Sequence, residues 1–240
     1  MIEPSRSFDR AAEEYERTRP DYPPRVLDLV PVGADAEVLD VGAGTGKLTR
    51  VLARRYARVT AIEPLDGMRA ILERVVPGVE ALAGRAEQLP LPEGAVDAVF
   101  AGQAFHWFAN DDALAEIHRV LKPGGALGLI WNMRDLDDPL QRAIEELIAP
   151  LSGEVSHFYG GVWRRPFEGT DRFGPLEEAS FEHVQELDEQ GLVDRVLSTS
   201  YVATAPVEHQ REIEARLREV IGGDSVRLPY LTMAFVTRKL

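Results

Sequence analysis

The sequence predicts a doubly wound α/β domain. Two observations carry this. From Glu37 to about Asn132, short apolar runs alternate with segments of helical period, the pattern of a parallel sheet covered on both faces. The first of these runs also ends in glycines at alternate positions, just where the next helical segment begins. At 240 residues the chain can bury a continuous core under one central sheet, and a single domain is the expectation.

In chain order, FDRAAEEYERTRPDYP reads as a short charged helix halted at Pro20, and Pro23-Pro24 opens another. Strands are predicted at EVLDV (37–41), RVTAI (58–62), VEALA (79–83), AVDAVFA (95–101) and ALGLIWN (126–132). Helices are expected to begin near Gly46, Asp66 and Asp111, the two aspartates serving as caps. In DDALAEIHRVL, Leu114, Ile117, Val120 and Leu121 share one stripe, and Lys122-Pro123-Gly124-Gly125 stops the helix. Pro90 and Pro92 make the stretch before the fourth strand a loop. A helix should run from Pro139 to Pro150, after which residues 151–175 lose periodicity and read as an insertion or lid. The remainder predicts a strand at SFEHVQEL (180–187), helices around 188–200 and 207–221, and a strand LPYLTMAFVT (228–237), the late strands closing the sheet edge in antiparallel fashion. The division expected is a helical cap (1–35), a ligand-binding core (36–135), and a lid with closing strands (136–240).

With 40 acidic against 27 basic residues the net charge is −13, so the surface should repel phosphate backbones, and nucleic acid is not an expected partner. The absence of cysteine excludes disulfides, thiolate nucleophiles and cysteine-based zinc sites. The opening residues lack a basic segment followed by an apolar one, and no apolar run approaches the ~20 residues that span a bilayer. No membrane association and a cytoplasmic location are expected.

The strongest motif is VLDVGAGTGKL (38–48). Gly42, Gly44 and Gly46 let the backbone turn sharply and let a ligand approach without a Cβ in the way. Their spacing is GxGxG, where a dinucleotide fingerprint wants GxGxxG, which disfavours a Rossmann-type oxidoreductase. A phosphate-binding GxxxxGK[ST] loop is excluded because Leu48 follows Lys47. Glu63 ends the second strand, 21 residues after Gly42, where a carboxylate can accept hydrogen bonds from a ribose diol. Taken alone, such an acid is more often a solvated strand-end charge; the glycine turn beside it favours the ribose role.

Together with GRAEQLPLP (84–92), VDAVFAGQAFHWF (96–108) and HRVLKPGGALGLIWN (118–132), these residues resemble the class I S-adenosylmethionine-dependent methyltransferases, specifically the type 11 methyltransferase domain. The QAFHW form and the run from Tyr15 to Pro23 are similar to the subgroup containing trans-aconitate methyltransferases. The resemblance implies a Rossmann-like seven-stranded sheet of order 3-2-1-4-5-7-6 with its last strand antiparallel, and S-adenosyl-L-methionine along the carboxyl ends of the first four strands. It puts Asp40 and Gly42 toward the methionine ammonium, Gly44 and Gly46 in the turn on the ribose side, and Glu63 on the diol. Pro64 and Leu65 would cover one adenine face, with Ala86 and Glu87 at its edge, although Arg85 stands where many relatives carry aspartate. Tyr15 and Arg19 would hold the methionine carboxylate, and Gln103, His106 and Trp107 would lie beside the reactive methyl.

Methyl transfer from a sulfonium is an in-line displacement that chiefly requires alignment and exclusion of water, and it needs no metal. A carboxylate acceptor needs no base; a hydroxyl or amine acceptor does, and His106 is the candidate. His157, Phe158, Tyr159, Trp163, Arg164, Arg165 and Phe167 make residues 151–175 unusually aromatic and basic. With Trp131 and Asn132 they suggest an apolar cavity rimmed by guanidinium, suited to a small carboxylic acid. The alternative from another class is a non-catalytic cofactor-binding regulator on the same fold.

Overall fold

The computed structural model describes residues 12–152, 161–220 and 225–240. Its centre is one seven-stranded sheet: β1 (Glu37–Val41), β2 (Arg58–Ile62), β3 (Glu80–Leu82), β4 (Val96–Gly102), β5 (Leu121–Arg134), β6 (Glu177–Leu187) and β7 (Val226–Arg238). The order is β3-β2-β1-β4-β5-β7-β6, as the resemblance implies, and β7 pairs antiparallel. The parallel register sets Asp40 beside Ala61 and Phe100, and Gly102 beside Ile130, so the carboxyl ends of β1, β2, β4 and β5 are level.

The helices are α1 (residues 12–18), α2 (Lys47–Arg55), α3 (Asp66–Val75), α4 (Asp111–Val120), α5 (Pro139–Ile148), α6 (Glu189–Leu197), α7 (Ser200–Ala203) and α8 (Val207–Val220). Two expected caps move by one residue. Asn110, not Asp111, caps α4 by accepting from the Ala113 N–H at 2.9 Å, which leaves Asp111 and Asp112 in the first turn beside the positive end of the helix. At α3 the capping position is Leu65, which makes no side-chain cap bond, and Asp66 is already helical. β5 starts at Leu121, earlier than expected, because the KPGG segment that ends α4 is itself extended. At that junction the Lys239 ammonium donates to the carbonyls of His118 (2.7 Å) and Leu121 (2.8 Å).

Two compact units share the chain. Of the described residues, the larger holds 22–132, 161–181 and 232–240. Its core is the both-sided burial of β4, where Ala98, Val99, Phe100 and Ala101 are wholly enclosed, joined by Val26, Leu27, Val38, Leu52, Ala126 and Ile130. Each large apolar side chain buried this way contributes about 1.5–3 kcal/mol. Of the described residues, the smaller unit holds 12–21, 133–152, 182–220 and 225–231. Its core is Ile144 and Ile148 of α5, Leu192, Val193 and Val196 of α6, Ile213 and Leu217 of α8, and Leu228 and Tyr230 of β7.

Candidate active site

The site is built where β1 runs out. Gly42, Gly44 and Gly46 all take positive φ (71°, 58° and 90°), which side chains resist, so the sequence can turn here only on glycine. The positions differ in what surrounds them. A Cβ on Gly42 would come within 2.7 Å of the Ala104 Cβ, so that glycine serves close packing. A Cβ on Gly44 would meet nothing within 4 Å, so the turn presents bare backbone to open space there.

Glu63, at the end of β2, closes on this turn. One carboxylate oxygen accepts from the Gly44 N–H at 2.8 Å and the other from the Leu65 N–H at 2.9 Å, with the side chain buried. Two backbone donors therefore hold the carboxylate at the mouth of the turn, and Arg69 donates to the Glu63 carbonyl at 2.9 Å. Pro64 and Leu65, which follow, are exposed, Leu65 by 56%.

Asp40 lies beneath the turn, fully buried. Its Oδ2 accepts from the Thr49 hydroxyl at 2.6 Å, while Oδ1 is enclosed with no hydrogen-bond partner among the described residues. Burial raises its pKa to about 7, with Thr49 opposing and the nearby Glu63 charge adding. A buried carboxylate oxygen left without a donor is costly in isolation and is well suited to a cationic ligand.

At the end of β4, Gln103 is the one non-glycine residue at positive φ (52°) among the described residues. Its N–H donates to the Ile130 carbonyl at 2.8 Å and its side-chain amide to the Asn132 carbonyl at 3.2 Å, so β5 holds it in that conformation. Asn132 is itself buried and accepts from the Thr232 hydroxyl at 2.6 Å. The turn then presents Phe105, His106 and Trp107: Phe105 is wholly buried, and Trp107 is 62% exposed with its ring 4.8 Å from that of His106.

The Trp131 indole N–H donates to His106 Nδ1 at 3.2 Å. An indole nitrogen can only donate, so Nδ1 is the acceptor and the neutral imidazole carries its proton on Nε2. A histidine held this way donates from Nε2 and has its basic lone pair engaged. In this arrangement His106 presents its Nε2 N–H, with Nδ1 turned to the Trp131 indole.

The aromatic residues expected around the acceptor pack on one another. Trp131 and Trp163 are buried, with ring centroids 4.8 Å apart, and Phe235 packs on both at 5.8 and 4.8 Å. Phe105 and Phe167 continue the layer at 5.6 Å. Edge and tilted contacts of this kind are favourable arrangements for large apolar rings. Arg164 lies 4.6 Å over both Trp163 and Phe235 and pairs with Glu178 at 3.0 Å, so its charge is already matched; Arg165 is exposed. His157, Phe158 and Tyr159 lie outside the described residues.

Ala86 is buried, and Glu87 accepts from the Asn110 amide at 3.2 Å with Arg85 at 3.7 Å. Tyr15 and Arg19 belong to the smaller unit. There Arg19 lies 4.9 Å over the Tyr15 ring and donates to the Ser198 carbonyl at 2.7 Å. Residues that sequence reasoning missed include Thr49, which orients Asp40 one helical turn into α2, and Arg134 and Arg195 beside Arg19. A Thr three residues after the last glycine was visible as a signal; the arginines gave none.

The pattern of a family described as a methyltransferase domain matches residues 39–129. An uncharacterized methyltransferase of Mycobacterium bovis is 36% identical over 236 residues, covering 95% of this chain and 94% of its own. A malonyl-[acyl-carrier protein] O-methyltransferase of Serratia marcescens is 34% identical over 125 residues, 50% of this chain and 49% of its own. Among solved structures, a putative type II methyltransferase from Anaeromyxobacter dehalogenans superimposes with a TM-score of 0.67 at 25% identity, covering 92% of this chain and 97% of that one.

Proposed function

Because this chain belongs to the class I S-adenosylmethionine-dependent methyltransferases, we infer that it transfers a methyl group to a small acceptor, and that the acceptor is a carboxylic acid. The observation that carries the cofactor half is the pairing of Glu63, fixed by the Gly44 and Leu65 N–H groups, with the unpartnered buried oxygen of Asp40. These residues fit the cofactor. Asp40 takes the ammonium of the methionine portion, and Glu63 takes the ribose hydroxyls across the open side of Gly44. Pro64 and Leu65 cover the adenine, with Ala86 and Glu87 at its edge. When bound, the cofactor supplies a methyl group on a sulfonium whose leaving group is already activated.

For the acceptor, the support is the state of His106. With its lone pair engaged by Trp131 it offers an N–H, which can hold an acceptor oxygen but cannot relieve an acceptor of a proton. A carboxylate needs no proton removed. The half-length similarity to a malonyl O-methyltransferase agrees with an oxygen acceptor. Trp107 closes over the acceptor, and Gln103, tied to Asn132, fixes the turn that carries both residues.

Transfer of radiolabelled methyl from S-adenosylmethionine to a panel of mono-, di- and tricarboxylic acids, phenols and amines tests this. Label in a product that releases methanol in alkali identifies a carboxyl ester. Labelling of amines alone would exclude the acid, and cofactor binding with no transfer to any acceptor would favour a regulator. No helix among the described residues is long and apolar enough to cross a membrane. A cytoplasmic site of action without nucleic acid agrees with the acidic surface.

A further inference from the structure

The smaller unit gathers three arginines from three parts of the chain: Arg19 after α1, Arg134 at the end of β5, and Arg195 in α6. Arg195 is buried (5% exposed), and the Arg134 side chain is 9% exposed. Arg134 meets the Glu145 carboxylate at 3.2 Å and donates to the Gln141 side-chain oxygen at 3.1 Å. Among the described residues, Arg195 donates to neutral oxygens, the Tyr230 hydroxyl at 3.2 Å and the Thr199 hydroxyl at 3.4 Å. Arg19 donates to the Ser198 carbonyl, and its Nε is enclosed with no partner among the described residues.

Among the described residues, these three guanidinium groups are paired with one carboxylate, that of Glu145. Their mutual repulsion is felt: burial first, and then the Arg195 charge with Arg134 adding, pull Arg19 down to about 10, and Arg134 is lowered by burial and by Arg195. A buried cluster of like charge is destabilising unless an anion completes it. The donor type indicates which anion, since planar forks with fixed N–H directions match a carboxylate in two-point contact. The unpartnered Arg19 Nε and the neutral partners of Arg195 are donors that such a ligand would satisfy.

We propose that Arg19, Arg134 and Arg195 form a binding site for an organic carboxylate, completed by the Tyr230 hydroxyl. The occupant is a free polycarboxylic acid, and the amino-acid end of the cofactor is the rival that the test must exclude. The proposal is independent of which acceptor is methylated, because it is read by binding alone.

The test is calorimetry and thermal denaturation of the full chain at constant ionic strength. The probes are tricarballylate, its neutral triamide, S-adenosylhomocysteine, and 5′-methylthioadenosine, which lacks the amino-acid end. Tricarballylate should bind, and the triamide should not. Arg195→Gln and Arg19→Gln should each weaken tricarballylate binding at least tenfold, about what losing one charge-assisted hydrogen bond removes. Affinity for methylthioadenosine should stay unchanged, which shows that each variant is folded; should one variant not fold, the other carries the test. Tricarballylate bound together with S-adenosylhomocysteine identifies a free acid as the occupant. Competition between them, with equal losses in the variants, would assign the arginines to the cofactor's carboxylate and overturn the proposal. The proposal is also overturned if the folded variants bind tricarballylate as the wild type does, or if acid and triamide behave alike.

Discussion

The Glu63 carboxylate accepts a hydrogen bond from the Gly44 backbone at 2.8 Å, so the end of β2 and the glycine turn after β1 are one mechanical unit. Replacing Glu63 with alanine should therefore have two effects at once. Cofactor affinity should fall by about ten- to a hundredfold, since charge-assisted hydrogen bonds contribute ~1.5–3 kcal/mol each. The thermal midpoint of the unliganded protein should also drop, by roughly 2–4 °C per kcal/mol lost for a chain of this size. Gly44→Val should separate the two: its side chain enters open space, costing ~1–2 kcal/mol for the left-handed backbone, yet it should abolish binding. Calorimetry beside thermal denaturation reads both.

Asp40 predicts a pH dependence. Burial raises it to about 7 in the folded protein, above its value in the unfolded chain. Between about 4 and 7 the folded state therefore holds a proton that the unfolded state has lost, and the unliganded protein becomes less stable as pH rises through that window. Cofactor affinity should run the other way, because the ammonium needs the carboxylate: flat above about 7 and falling by up to about tenfold per pH unit below it. Titrations at pH 6 in buffers of different ionisation enthalpy should show proton release on binding, and Asp40→Asn should remove it.

Trp131→Phe should leave the sheet intact at ~1–2 kcal/mol while freeing His106 Nδ1. Nitrogen-15 NMR of the wild type should show a single neutral tautomer with the proton on Nε2, and the variant a mixture of both. Methyl transfer to an acid should slow severalfold at kcat, as the imidazole loses its fixed orientation. A variant with wild-type kcat and one retained tautomer would show that Trp131 does not orient the ring.

Arg164→Ala should leave methyl transfer unchanged and lower stability by about 1 kcal/mol, the sum of a half-exposed ion pair to Glu178 and its stacking on Trp163 and Phe235. Loss of turnover of every acid at unchanged stability would restore Arg164 to the acceptor site.

The sheet was legible because its signals are local. β1, β2 and the glycine turn fall on the expected residues, since a buried parallel strand and the turn that ends it each need a particular composition within ten residues. Glu63 was legible through its fixed distance from Gly42. What sequence could not display is convergence. The Trp131 N–H reaches His106 across 25 positions, and Arg19, Arg134 and Arg195 meet from segments more than fifty residues apart. For the same reason the composition of 151–175 marks rings that avoid water, while packing decides which of them line a space.

Lys239, whose ammonium finishes the carbonyl end of α4 at His118 and Leu121, also bears on the order of events as the chain is made. β7 stands between β5 and β6, so residues 226–239 must be supplied before β5 has its second neighbour and before those carbonyls lose their water. The half of the sheet around β1 can assemble early from short-range crossovers, while the other half waits for a strand synthesised about a hundred residues later. A nascent chain held before residue 226 should accordingly resist protease through β1–β4 and remain open beyond β5.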